Sequence, residues 1–281
     1  MNDTFLIEPE ALQSRLRSGG TVVIDCGWYA PETKRSGRDE FAKGHVPGAR
    51  FFDLDAASDP GSTLPNMLPP ADHFARYVGG LGIGNDTSVV VYDATYVSAR
   101  VWWMFRRFGH RDVRILDGGW RRWTAEGRPV ETGAGAAPVA VPYVAAAPDV
   151  QVADWRAVLA ALRTGAAQVV DARTRERFTG ELPSGYPGLP SGHMPGAINL
   201  PWNRMIRQSG DFAFEDPTAA ARIFREAGVD PERPIICTCG SGVTAAVLAF
   251  QLTRLGCTDW SIYDASWNEW GRRPDLPRES L

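Results

Sequence analysis

Short apolar runs rich in β-branched residues alternate along the chain with stretches whose apolar residues recur at helical spacing. Thr21-Val-Val-Ile-Asp25, Val89-Val-Val-Tyr92, Val113-Arg-Ile-Leu116 and Pro234-Ile-Ile-Cys-Thr-Cys239 have the length and composition of buried strands. Pro9 to Leu16 carries Leu12 and Leu16 on one face, with proline early and Gly19 as the stop. A second helix is expected through Trp102–Phe108, and a third over Thr244–Leu255, ended by Gly256. The alternation predicts an α/β fold with mainly parallel sheets flanked by helices. Ligands of such sheets gather beyond the carboxyl ends of the strands, where Asp93 and Cys239 stand.

The pattern is written twice. Leu16-Arg-Ser-Gly-Gly-Thr-Val-Val-Ile-Asp25 returns as Leu162-Arg-Thr-Gly-Ala-Ala-Gln-Val-Val-Asp171, an offset of 146. Gly44-His-Val-Pro-Gly-Ala49 returns as Gly192-His-Met-Pro-Gly-Ala197, an offset of 148. Ser88–Asp93 falls opposite Pro234–Cys239, and Asp117-Gly-Gly-Trp-Arg-Arg-Trp123 falls opposite Asp264-Ala-Ser-Trp-Asn-Glu-Trp270. Matches in one order at nearly one offset indicate a duplicated domain. We expect domains at 1–135 and 149–281, joined by a connector at 136–148 within a stretch, Glu131–Pro148, of Gly, Ala and Pro with hardly any charge. Val139, Val141, Tyr143 and Val144 are expected to pin the connector across both domains.

Composition narrows the function. The chain has 281 residues, 44% hydrophobic and 22% charged, with a net charge of −3. Those values suit globular domains and give no bulk attraction to nucleic acid or an anionic membrane. The four cysteines form neither a disulfide framework nor a metal-ligand spacing. No basic-then-apolar leader and no apolar run of spanning length is visible, so the expected location is the cytoplasm.

Chemistry concentrates at residues 237–244. A thiol attacks as its thiolate, so a reactive cysteine needs a site that favours negative charge. Gly240 and Gly242 would let the backbone curl with several N–H groups facing one concavity, and the following helix presents its positive end there. Cys239 fits that place, while Cys237 lies inside the strand and is expected only to pack. Phosphate chemistry is disfavoured. Gly-x-Gly-x-x-Gly is not completed, and the sixth residue after Cys239, where a cysteine phosphatase keeps arginine, is Ala245.

Cys239-Gly-Ser-Gly-Val-Thr244, the two Gly-His-x-Pro-Gly-Ala stretches and Tyr263–Trp270 together resemble the tandem-domain rhodanese sulfurtransferases. The resemblance covers nearly the whole chain. It implies two rhodanese-like domains, the first catalytically silent, and a Cys239 thiolate that takes sulfur from a donor and passes it on. It implies no metal or organic cofactor. The loop residues Gly240, Ser241, Gly242, Val243 and Thr244 would hold the charge of a Cys239 persulfide. Members that prefer thiosulfate carry Arg-Lys after the cysteine; Gly240-Ser241 looks like the 3-mercaptopyruvate type. Acceptors would be a thiol such as thioredoxin, or cyanide. Thiosulfate as donor and a persulfide carrier with little free-donor turnover are the alternatives.

Carried over residue by residue, the resemblance makes Arg177 a clamp for the substrate's carboxylate or carbonyl. Asp55 and Ser241 match the outer members of an Asp-His-Ser relay, but Asn66 stands where the histidine is expected. Tyr186 stands where a second arginine is expected. Other conspicuous residues are expected to build. His45 and His193 recur in both copies, as do the pairs Trp120/Trp123 and Trp267/Trp270. Trp102–Phe105 should be a buried helix face, and Arg106, Arg107, Arg121 and Arg122 solvated ones. Arg100 is expected either to pair with Asp93 or to face the cleft.

Overall fold

The computed structural model describes residues 4–135, 137–146, 151–207 and 210–280. The chain divides into two compact units. One comprises Met1–Pro60, Leu68–Asp149 and Gln208–Phe214; the other comprises Gly61–Met67, Val150–Arg207 and Glu215–Leu281. Ala136, Ala147 and Pro148 of the expected connector, and Asp149 at the expected start of the second domain, lie outside the described residues.

The first unit follows the predicted alternation. Its strands are β1 (Leu6–Ile7), β2 (Thr21–Asp25), β3 (Arg50–Phe51), β4 (Ser88–Tyr92) and β5 (Val113–Leu116). They run parallel in the order β1-β5-β4-β2-β3. Helices α1 (Pro9–Ser18), α2 (Gly37–Lys43), α3 (Leu54–Ala57), α4 (Ala71–Gly80), α5 (Val97–Arg107) and α6 (Gly119–Ala125) connect and flank them. Val89, Val90, Val91 and Tyr92 are all fully buried, as a central parallel strand covered on both faces requires. Trp102–Phe105 are buried as expected.

The second unit repeats this plan. Strands β6 (Gln151–Ala153), β7 (Gln168–Asp171), β8 (Ile198–Asn199), β9 (Ile235–Thr238) and β10 (Trp260–Tyr263) run parallel in the order β6-β10-β9-β7-β8. They are flanked by α7 (Trp155–Thr164), α8 (Arg175–Thr179), α9 (Pro217–Glu226), α10 (Ala245–Arg254) and α11 (Ser266–Trp270). Val158, Val169, Met194, Ile236, Trp267 and Trp270 form a core on one side of the sheet, and Leu64 and Met67 pack against it. Those two anchors flank Asn66 and fix its position in this unit.

Both histidines build, as expected. His45 stacks on Phe41 at 3.8 Å and His193 on Phe178 at 3.9 Å, and each backbone bridges a distant glutamate, Glu131 or Glu279. Two expectations need correction. Only Tyr143 of the four connector residues is buried, against Phe74 and His110, whereas Val139 and Val144 are 82% and 69% exposed. Arg122 is not on a solvated face: it pairs with Glu8 at 2.7 Å and Glu126 at 2.8 Å. Arg100 is fully buried, with its guanidinium 4.6 Å from the centroid of Trp103.

Candidate active site

Strand β9 ends at Thr238, so Cys239 is the first residue past the sheet, 2% exposed. Cys237 lies in the strand, and complete burial pushes its thiol up. The two cysteines therefore differ in place, one within the sheet and one beyond its end. Residues 240–244 lead into α10, whose axis begins at this loop, so its partial positive end lies beside Cys239. Gly242 takes the left-handed conformation, with φ 74°. Gly240 does not. A Cβ there would lie 3.0 Å from Cε2 of Tyr186, so glycine lets that ring approach without shifting.

Ser266 braces the loop, a role that sequence reasoning missed. Its Oγ accepts the N–H groups of Cys239 at 3.1 Å and Gly242 at 3.2 Å, and its hydroxyl donates to the Tyr263 carbonyl at 2.7 Å. The same Oγ lies 4.0 Å from Cys239 Sγ. The carbonyls of Cys239 and Gly240 accept from the N–H groups of Trp267 and Asn268, each at 3.0 Å. One of the N–H groups expected to face an anion, that of Gly242, is thus already used. Those of Gly240, Ser241, Val243 and Thr244 donate to no acceptor among the described residues. Ser266 holds φ 52°, strained for a serine, and its counterpart Gly119 holds φ 52° without penalty. A serine opposite a glycine in the repeat was the available signal.

The first unit shows what such a loop binds. Asp93 follows β4 as Cys239 follows β9. Its Oδ2 accepts the N–H groups of Thr95 at 2.8 Å and Val97 at 2.9 Å, and Oδ1 accepts that of Ser98 at 3.1 Å. The Thr95 hydroxyl donates to Oδ2 as well, at 2.7 Å. At the repeat offset these positions are Ser241, Val243 and Thr244. The loop backbone is an anion cradle, filled in the first unit by the carboxylate of its own Asp93.

The predicted polar residues divide into those the second unit gathers and one it does not. Tyr186 donates its hydroxyl proton to Ser241 Oγ at 2.9 Å, and Ser241 donates to Asn66 Oδ1 at 3.0 Å. The two departures from the expected pattern therefore converge on one serine. Asn66 is buried at φ 57°, a left-handed conformation that asparagine tolerates better than most residues. Arg177, half-buried on α8, packs against Gly185, where any Cβ would strike its guanidinium. Val243 is buried and Thr244 precedes α10. Asp55 belongs to the first unit, where its Oδ1 accepts from Trp28 Nε1 at 3.0 Å and partial desolvation raises its carboxyl.

The profile of the rhodanese-like domain matches residues 8–126 and again 154–273. The 3-mercaptopyruvate sulfurtransferase of Homo sapiens is 40% identical over 94% of this chain and 89% of its own. The thiosulfate sulfurtransferase of Gallus gallus is also 40% identical, over 95% and 93%. Among solved structures, SseA of Escherichia coli, a 3-mercaptopyruvate sulfotransferase, superposes with a TM-score of 0.84 at 35% identity, covering 94% of this chain and 99% of its own.

Proposed function

The chain belongs to the rhodanese-like family and is a sulfurtransferase, and from that premise we propose that Cys239 carries sulfur as a persulfide taken from 3-mercaptopyruvate. The reading rests above all on the Asp93 carboxylate in the first loop. A backbone that holds an anion on the residue after β4 supports the same task after β9, where that residue is cysteine.

In the first step the Cys239 thiolate attacks the thiol sulfur of the donor. An S–S bond forms and the donor's C–S bond breaks. The electron pair leaves with the carbon, which takes the thiol proton to become the methyl group of pyruvate. The N–H groups of Ser241, Val243 and Thr244 hold the negative charge on the outer persulfide sulfur. In the second step an acceptor thiolate, or cyanide, attacks that sulfur and releases the Cys239 thiolate. A thiol protein such as thioredoxin fits this step. In this reading Arg177 receives the donor's carboxylate, and Ser241 hydrogen-bonds the sulfur or carbonyl.

Identity does not choose the donor, since relatives of both kinds are equally similar. The loop chooses. Gly240, Ser241 and Gly242 carry no positive side chain to attract the thiosulfate dianion, and Ser241 offers a hydroxyl beside the thiol. We assign residues 1–135 to the silent domain and 149–281 to the catalytic one. Four free cysteines support a reducing compartment such as the cytoplasm. No helix among the described residues is long and apolar enough to cross a membrane.

Intact mass after exposure to each donor tests the reading. Addition of one sulfur atom with 3-mercaptopyruvate, lost in Cys239→Ser, is expected. Absence of addition, or addition that survives the substitution, overturns it.

A further inference from the structure

At the end of β7, Asp171 holds Arg173 in a forked ion pair. Nε lies 3.1 and 3.0 Å from the two carboxylate oxygens, and Nη2 lies 2.7 Å from Oδ2. Nη2 also donates to the Gly192 carbonyl at 3.0 Å, and the guanidinium carbon sits 4.7 Å from the Trp267 ring centroid. The group is thus held by a carboxylate, a carbonyl and an indole face, with Arg173 only 5% exposed.

The repeat offset puts Asp25, Gly27, Gly44 and Trp120 at the places of Asp171, Arg173, Gly192 and Trp267. In the first unit all four line one pocket of about 120 Å³. That volume is several times the roughly 30 Å³ share of a liquid water molecule. The backbone contact is kept: Gly27 N–H donates to Asp25 Oδ1 at 2.8 Å, as Arg173 N–H donates to Asp171 Oδ1 at 2.9 Å. What the first copy lacks is a guanidinium on its carboxylate, Asp25.

Asp25 registers the loss. It is 8% exposed, and burial pushes its carboxyl up to about 7, against the lowering effect of hydrogen bonds from Gly27 N–H and the Tyr92 hydroxyl and with the nearby Asp93 adding to the rise. Arg35 also lines the pocket, where its guanidinium is held by two other lining residues, Glu40 and Tyr29, and not by Asp25. It lies 3.1 Å from Glu40 and 3.9 Å from the centroid of Tyr29, and its side chain is 49% exposed.

We propose that the first unit binds a guanidinium-bearing ligand in this pocket, between Asp25, the Gly44 carbonyl and Trp120, where the second unit places the side chain of Arg173. A planar cation with forked N–H donors matches a carboxylate in two bonds and stacks on an indole; a compact ammonium does neither as well. The inference is independent of the chemistry at Cys239.

Thermal unfolding with millimolar guanidinium chloride, against equal sodium chloride, tests it. At about ten times its Kd the ion is expected to raise Tm saturably by roughly 2–4 °C. Gly27→Arg should abolish the response by filling the pocket from within. A Cβ at Gly27 meets only Asp25 Oδ1, at 3.1 Å, so that side chain must shift by a few tenths of an ångström to admit it. Asp25→Asn should abolish the response independently. Absence of a saturable rise in the natural protein, or an equal rise in either variant, overturns the proposal. Methylguanidinium and N-acetylarginine amide separate the sources. Binding of the first alone identifies a small-molecule site; binding of both identifies one that also admits an arginine side chain. An equal response to methylammonium counts against the assignment.

Discussion

The hydroxyl of Ser241 donates to Oδ1 of Asn66 across 3.0 Å, so the proton a relay would pass onward ends at an amide oxygen. An amide accepts that hydrogen bond but takes no proton near neutral pH. Ser241 is held by its neighbours without being activated by them.

Asn66→His should supply the missing base. Histidine is among the side chains that best tolerate the φ of 57° found here. The expected gain in kcat with 3-mercaptopyruvate is about tenfold, below the roughly 10²–10⁴ of a fully positioned base. A new inflection near pH 6.5 should accompany it. Steady-state kinetics across pH checks both, and an unchanged rate rejects the relay argument.

Tyr186→Phe keeps the ring against Gly240 and removes the hydrogen bond to Ser241. One neutral hydrogen bond is worth about 1 kcal/mol, which corresponds to roughly a fivefold fall in kcat/KM. Kinetics with Ser241→Ala as the second arm of a double-mutant cycle would show the two effects failing to add.

Ser266→Ala strips the acceptor from two buried N–H groups while retaining the left-handed backbone. A loss of about 2–4 kcal/mol is expected, with slower sulfur loading of Cys239. Ser266→Gly should be the milder change by about 1 kcal/mol, because it relieves the strain. Urea denaturation of the three proteins gives that order directly.

Asp25 should leave a mark on stability against pH. Its folded carboxyl titrates near 7 and its unfolded one near 3.8. As pH rises through that window the unfolded chain has already lost the proton that the fold retains. Stability therefore falls from about pH 4 to 7, and the loss is complete above. Asp25→Asn should gain on the natural protein as pH rises from 5 to 8. Paired denaturant curves at those values cancel the contributions of other groups.

The strands, the duplication and the separation of Cys237 from Cys239 were legible because each rests on local spacing. A β-branched run such as Val89–Val91 buries itself wherever it is put. Ser266 was not legible as a brace, because a hydroxyl's partners depend on a backbone angle that no single residue type announces. Tyr143 and Val139 looked alike as apolar connector residues, yet one stacks on His110 while the other faces water. Comparison of the copies carries more than either alone. Gly119 against Ser266 and Gly27 against Arg173 mark the places where two near-identical frames have gone separate ways.

Asp93 and Cys239 occupy equivalent seats, but only one of them can be spent. Oxidants that exhaust a thiol leave a carboxylate untouched, and an alkylating agent that blocks the sulfur finds little to attack in the acid. The first loop is the second with its charge made permanent. A chain built this way keeps one of its two frames locked against the redox conditions that set the state of the other.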